Sequence, residues 1–149
     1  MVLPDQHELF AALCGHLGED VQAHPVTRCA RGLVELHKAH RGCPLTPEFR
    51  HLRTWLIEFI DQWVQANAPF AANCEDSLGD AVDRMACAHL DAVALLWGES
   101  GPREALHAAW HNAGALADEW TDLVSEVIDG QPRRPRTNTS RQHDRARMP

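Results

Sequence analysis

Apolar residues recur along most of the chain at steps of three and four positions, and no strict alternation lasts long enough for a strand. This period is typical of helices with one buried face. Glycine and proline positions interrupt the pattern and divide the chain into short periodic segments. The pattern predicts an all-α fold, a single antiparallel bundle of four to five helices joined by short loops.

The first three predicted helices begin and end at residues that suit helix ends. Helix one is predicted over residues 4–17, and helix two over residues 25–42 with Pro25 in its first turn. Helix three begins at Thr46, a good N-cap, and ends before Pro69. Their predicted buried faces are Leu9, Phe10, Leu13 and Leu17, then Val26, Cys29, Leu33 and Leu36, then Phe49, Leu52, Leu56, Phe59 and Trp63.

The last two predicted helices are the longest periodic segments. Ser77 and Asp80 fit a capping box at the start of helix four, which ends at Gly98. Helix five follows Gly101-Pro102 and runs to about Asp129. Their seams step by four and three, the spacing of helices packed at shallow angles, through Leu78, Val82, Met85, His89, Ala92 and Leu96, and through Leu106, Trp110, Ala113, Ala117, Trp120, Val124 and Val127.

The charge is divided unevenly between a folded domain, predicted over residues 1–130, and a tail, residues 131–149. The net charge of −7 combines a balance of −12 in the domain with +5 in the tail, which holds six arginines against Asp144. Without apolar periodicity the tail is predicted to be disordered. A domain this acidic repels phosphate backbones, so nucleic acid is expected to bind only through the tail. The other interpretations of the tail are an arm that binds acidic membranes, a regulated segment, or an unstructured extension.

The cysteine pattern and the N-terminal residues indicate the cellular compartment. Five cysteines occur without a CxxC pair, and their odd number does not suit a disulfide framework. No signal-peptide pattern or membrane-length apolar run is found. We therefore expect a cytoplasmic protein without a membrane partner. Lys38 is the single lysine among many arginines, which suggests a GC-rich bacterial genome.

Several short segments resemble a known family. They are His24-Pro25-Val26, Leu36-His37, Ile60-Asp61-Gln62-Trp63-Val64 and the segment from Glu75 to Ala86, which reads EDSLGDAVDRMA. Over roughly residues 24–130 the chain resembles the mainly bacterial proteins grouped as domain of unknown function 4254. The resemblance implies a helical actinobacterial protein, and it carries over no catalytic residues.

One constellation has the spacing of metal ligands. Glu104, His107 and His111 lie three and four residues apart on one face of helix five, and helix three carries Glu48 and His51 three apart. Glu-x-x-His on two helices is half of a di-iron ligand set, and two histidines one turn apart are also a zinc arrangement. Alternatively, these residues bind no metal. The glutamates then stabilise helix N-termini, and the spacing of the histidines arises by chance.

Other polar and aromatic residues have both structural and functional interpretations. The acidic residues of helix four, with Arg84, are interpreted as a capped, solvated face, and alternatively as the edge of a ligand pocket. His89 falls on the seam and is expected to be a buried, hydrogen-bonded core residue. Most tryptophans are interpreted as core. The acidic set is Glu75, Asp76, Asp80, Asp83 and Asp91, and the tryptophans are Trp55, Trp63, Trp97, Trp110 and Trp120.

No Gly-rich phosphate loop, serine elbow or cysteine–histidine nucleophile signature is present. We therefore predict a protein-interaction or regulatory domain that needs no cofactor and binds itself or another protein through a helix face. The alternative is a metal-dependent enzyme, with zinc or iron held by His51, Glu104, His107 and His111. Whether the chain is an enzyme stays open.

Overall fold

The structure, a computed structural model, describes residues 3–16, 22–98 and 103–132. Within these ranges the chain forms five α-helices and one 3₁₀ turn, and no strand. The helices are α1 (Gln6–Leu13), α2 (Pro25–His40), α3 (Pro47–Asn67), α4 (Leu78–Trp97) and α5 (Arg103–Asp129), and the 3₁₀ turn is Ala71–Asn73. The predicted all-α class and helix number are confirmed.

Helix starts follow the capping chemistry of the sequence. The Thr46 side chain accepts a hydrogen bond from the backbone N–H of Phe49 at 3.1 Å, as predicted for α3. Ser77 accepts from the N–H of Asp80 at 2.9 Å at the start of α4. Helix α1 is shorter than predicted, because Gly15 follows it with φ +89° and ends the helical path before the predicted stop at Gly18. Leu17 lies outside the described residues.

Helices α2, α3 and α4 pack on one another, α5 runs along α4, and α1 contacts both α2 and α5. The shared core takes residues from all five helices, among them Leu9, Leu33, Ile60, Val82 and Leu123. Trp120 is fully buried, and its indole N–H donates to the carbonyl of Pro4 at 2.9 Å. This bond fixes the segment before α1 onto α5.

The predicted buried face of α3 is wrong in part. Phe49 is buried, but Leu52 is 49% and Phe59 38% exposed. The side chains that α3 buries fully are Phe49, Ile60 and Val64. The face that points to the core is therefore rotated about the helix axis relative to the predicted one.

The cause is a pair of polar side chains that α3 directs at α4. Arg53 forms an ion pair with Asp83 at 2.7 Å. Asp61 accepts hydrogen bonds from the Ser77 hydroxyl at 2.6 Å and from the Gly79 N–H at 2.8 Å, so it caps the N-terminus of α4. These contacts orient α3 and turn Leu52 and Phe59 outward.

Other positions predicted to be buried are exposed. Phe10 is exposed on α1, where its ring meets His89 edge-on. Leu96 and Trp97 are exposed in the last turn of α4, because the buried part of that helix ends at Ala92. Trp55 is exposed on α3. The remaining predicted seam residues of α4 are buried.

None of the helices in the described ranges combines the length and the hydropathy needed to cross a bilayer. Helix α5 ends at Asp129, as predicted, and residues 130–132 continue without helix. The predicted disorder of the tail concerns residues that lie, from 133 onward, outside the described part of the chain.

Candidate functional site

A buried carboxylate joins the three central helices. Asp83 of α4 is only 3% exposed. Its Oδ1 lies 2.6 Å from Nε2 of His37 on α2. Its Oδ2 accepts two hydrogen bonds from Arg53 on α3, from Nε at 3.0 Å and from Nη2 at 2.7 Å. Both oxygens are thus satisfied, as a buried carboxylate requires.

A cysteine completes the cluster. Cys87 follows Asp83 by four residues, so both side chains leave the same face of α4. Its Sγ lies 3.5 Å from Nε2 of His37. One possible ligand atom from each of His37, Asp83 and Cys87 lies within 4.8 Å of the other two. In the described ranges this is the one group of three potential ligands that meets so closely.

The cluster carries opposite charges in contact. The hydrogen bond to Asp83, and then the one to Cys87, raise the pKa of His37 to about 9, although burial opposes the change. Burial alone would raise the pKa of Asp83, but the hydrogen bonds and charges of His37 and Arg53 outweigh it and lower that pKa. At neutral pH an ionised carboxylate therefore lies between an imidazolium and a guanidinium.

The cluster borders a cavity of about 310 Å³. The Phe49 ring stands edge-on to His37 at 5.4 Å and packs at 4.9 Å against His40. His40 bonds through Nδ1 to the carbonyl of Leu36 at 3.0 Å, which directs its other ring nitrogen away from the backbone. Imidazole and thiol groups thus share one solvent-connected space, lined by His37, His40, Arg41, Leu45, Phe49, Cys87, Leu90 and Asp91.

The geometry does not suit a nucleophilic triad. In such triads the nucleophile and the carboxylate bind different ring nitrogens of the histidine, so that one orients the ring while the other exchanges a proton. Here Cys87 and Asp83 both meet Nε2 of His37. The arrangement is that of ligands around a common point, or of a structural ion cluster.

The site predicted from the sequence lies elsewhere. Glu104, His107 and His111 line one surface depression of about 630 Å³ on α5, with Arg103 and Ala108. All three are exposed. His51 is exposed on α3 and does not line this depression. The three residues of α5 share a face as their spacing predicts, and metal binding there stays a prediction.

Sequence reasoning missed the cluster that the structure forms. The prediction of a solvated acidic face is wrong for Asp83, because this residue is buried. Arg84 does pair with Asp80 as predicted, at 3.1 Å, and also with Glu119 at 3.1 Å. The one local signal was the step of four between Asp83 and Cys87. His37 and Arg53 had no spacing that linked them to it.

His89 is a second buried titratable group. It is 8% exposed, as expected for a core residue. The expected hydrogen bond is not found at its Nδ1, which has no polar partner in the described part of the chain. Burial lowers the pKa of His89, so the ring is kept neutral. We assign it a packing role against Phe10.

The segments that carry the family resemblance meet in space. The His24 imidazole caps α2 and packs at 4.5 Å against Trp63. Asp61 binds the start of α4, and His37 binds Asp83. Comparison with protein-family models, curated proteins and solved structures gives no match. The resemblance to domain of unknown function 4254 therefore stays a prediction, and function is argued from the chemistry of the surface.

Proposed function

We propose that this chain is a protein-interaction domain that binds a second copy of itself through the outer face of α2 and α3. The observation that carries the proposal is the apolar surface of α3. Leu52, Trp55 and Phe59 follow one another at steps of three and four, and Trp55 is 56% exposed. The Trp55 and Phe59 rings lie 5.7 Å apart. Contiguous apolar patches with an exposed tryptophan are typical of interfaces.

Beside this surface lies the α2–α3 groove, a depression of about 580 Å³. Gly32 lines this groove, and because it has no side chain, Leu56 of α3 packs against the backbone of α2, 3.4 Å from where a Cβ would lie. Helix α3 contributes Trp55, Leu56 and Phe59 to the lining. The full lining is Pro25, Arg28, Cys29, Arg31, Gly32, Glu35, Trp55, Leu56 and Phe59.

The charges in the groove favour a second copy as the occupant. Arg28 and Glu35 lie on either side of Gly32 on α2, and within the described residues neither forms an ion pair. A twofold axis near Gly32 would place Arg28 of each copy beside Glu35 of the other, as a symmetric interface requires. The domain otherwise has a charge of −12, which repels a second copy wherever such pairing is absent.

The first experiment measures mass against concentration by analytical ultracentrifugation of the full chain. We expect a concentration-dependent dimer. Trp55→Ala should weaken it about thirtyfold or more, as truncation of a central interface tryptophan does. Trp97→Ala is the matched control, because Trp97 is still more exposed but lies at the end of α4. A chain that is monomeric at every concentration, or that dimerises equally well with Trp55→Ala, would refute the proposal.

The second experiment tests the symmetry. Arg28→Glu should weaken the dimer, because it places like charges beside each other across the twofold axis. Adding Glu35→Arg should restore it, since each copy then carries the reversed pair. Arg50→Glu is a control for net charge, because Arg50 is exposed on α3 and lies outside the groove. Weakening by both Arg28→Glu and Arg50→Glu, with no restoration, would indicate general repulsion and refute the twofold pairing.

A further inference from the structure

We propose that His37, Asp83 and Cys87 form a zinc site with one coordination position open to the adjoining cavity. The inference is independent of self-association, because the cluster lies between α2, α3 and α4 and not in the α2–α3 groove. Its residues differ from the set on α5 that the sequence predicts.

The donor set selects the metal. An imidazole nitrogen, a carboxylate oxygen and a thiol sulfur converge here. Zinc takes all three, whereas Mg²⁺ and Ca²⁺ take oxygen ligands. Three protein ligands are the usual number for a zinc ion that keeps a fourth position for water or a substrate.

Of the three distances between ligand atoms, one already suits an ion of this size, one is too short, and the third is at most 4.8 Å. In a tetrahedral site with bonds of about 2.0–2.3 Å, neighbouring ligand atoms lie about 3.3–3.8 Å apart. Nε2 of His37 and Sγ of Cys87 are already 3.5 Å apart. Nε2 and Oδ1 of Asp83 are at hydrogen-bond distance, 2.6 Å, and must separate by under about 1 Å when the ion replaces the proton between them.

The ligands are held by neighbours that do not need to move. Arg53 binds Oδ2 of Asp83 and leaves Oδ1 for the ion. Phe49 packs against the His37 ring and limits its rotation. Such contacts around a metal site orient the ligands and increase affinity. All three ligands also lie on helices, which are more rigid supports than loops.

Charge is conserved when the ion enters. Zinc would release the proton that His37 shares with Asp83 and the thiol proton of Cys87. Two positive charges leave as protons and two arrive with the ion, so the buried cluster, Arg53 included, keeps the same net charge. The exchange therefore adds no uncompensated charge to the interior.

The fourth position would face the cavity of about 310 Å³. Its lining is mixed and includes the apolar residues Leu45, Phe49 and Leu90 and the polar residues His40 and Asp91. A water molecule or a small ligand with one anionic donor fits such a space.

The test uses the full chain after chelator treatment. Zinc binding is measured by competition with a chromophoric chelator, and Co²⁺ is used as a spectroscopic probe of thiolate ligation. We expect one zinc per chain, a thiolate-to-cobalt charge-transfer band and a rise in the unfolding midpoint as zinc is added. Cys87→Ser and His37→Gln should each weaken zinc binding at least about tenfold, because the loss of a residue that only supports a ligand already has that effect. Cys87→Ser should also remove the band.

Two controls separate this site from others on the chain. Cys14→Ser removes an exposed cysteine that lies 23 residues before His37 and outside the lining of the cavity, and it should leave both affinity and band unchanged. The double variant His107→Ala/His111→Ala removes the histidines of α5 and should also bind one zinc. Absence of binding by the unaltered chain would overturn the proposal. So would binding that survives Cys87→Ser and His37→Gln, or binding lost only in the α5 double variant, which would support the site predicted from the sequence.

Discussion

Replacing Asp83 by Asn tests how much the buried cluster contributes to the fold. The change keeps the size of the side chain but removes the charge that lies between His37 and Arg53. Breaking a buried ion pair from one side destabilises proteins by about 3–5 kcal/mol. The Arg53 side chain is 37% exposed and can turn to water, so we expect a loss of about 2–4 kcal/mol.

The measurement is urea unfolding at pH 7 of metal-free protein, followed by circular dichroism. Asp91→Asn is the matched control, since Asp91 is on the same helix and pairs with Arg41 at 3.0 Å, but both side chains are exposed. That variant should lose at most about 1 kcal/mol. If Asp83→Asn lost no more than Asp91→Asn, the cluster would contribute nothing to stability and our reasoning about its burial would be wrong.

Comparison of the unaltered protein with Asp83→Asn also gives a pH test. The pKa of His37 is raised to about 9, so the stabilisation from its charge is complete below the ordinary value of about 6.5 and is lost as pH rises through 9. The pKa of Asp83 is lowered, so its contribution persists above the ordinary range and is lost only as pH falls into acid. We expect the difference between unaltered and Asp83→Asn protein to shrink between pH 6.5 and 9. A constant difference would refute the raised pKa of His37.

Three further predictions concern packing. Because burial lowers the pKa of His89, the unfolded chain takes up its proton more readily below pH 6.5, and His89→Leu should reduce the loss of stability between pH 7 and 5 measured by urea unfolding. Trp120→Ala should lose about 3–5 kcal/mol and Phe59→Ala less than about 1.5 kcal/mol in the same assay, and equal losses would contradict their different burial. Gly79→Ala should destabilise, because a Cβ there would overlap the backbone of α3, whereas Gly114→Ala, with open space around it, should raise the thermal midpoint.

The parts of the fold that could be predicted from the sequence depend on a few neighbouring residues. The starts of α3 and α4 are set by Thr46 and Ser77, each of which binds a backbone N–H three residues later. The bounds of α5 likewise agree with the pattern between Pro102 and Gly130. Capping and periodicity act within one or two turns, so the linear sequence contains the information they need.

The central cluster could not be predicted in this way. His37 and Asp83 are 46 residues apart, and Arg53 and Asp83 are 30 apart. Their meeting depends on how three helices pack, and no spacing in the sequence records it. The histidines of α5 were the more visible candidates only because His107 and His111 share one helix.

The misplaced face of α3 and the missed cluster have one physical cause. At 3.6 residues per turn, the face centred on Leu56 and the face that contains Arg53, Ile60 and Val64 differ by about a sixth of a turn. The apolar periodicity predicts that the aromatic side of α3 is buried. Arg53, however, gains a buried partner only if α3 turns this side chain toward α4. That rotation leaves Trp55 in solvent. The buried carboxylate cluster and the exposed apolar face are thus two results of one helix orientation, so loosening the first by Asp83→Asn should also weaken dimerisation, which Asp91→Asn should not.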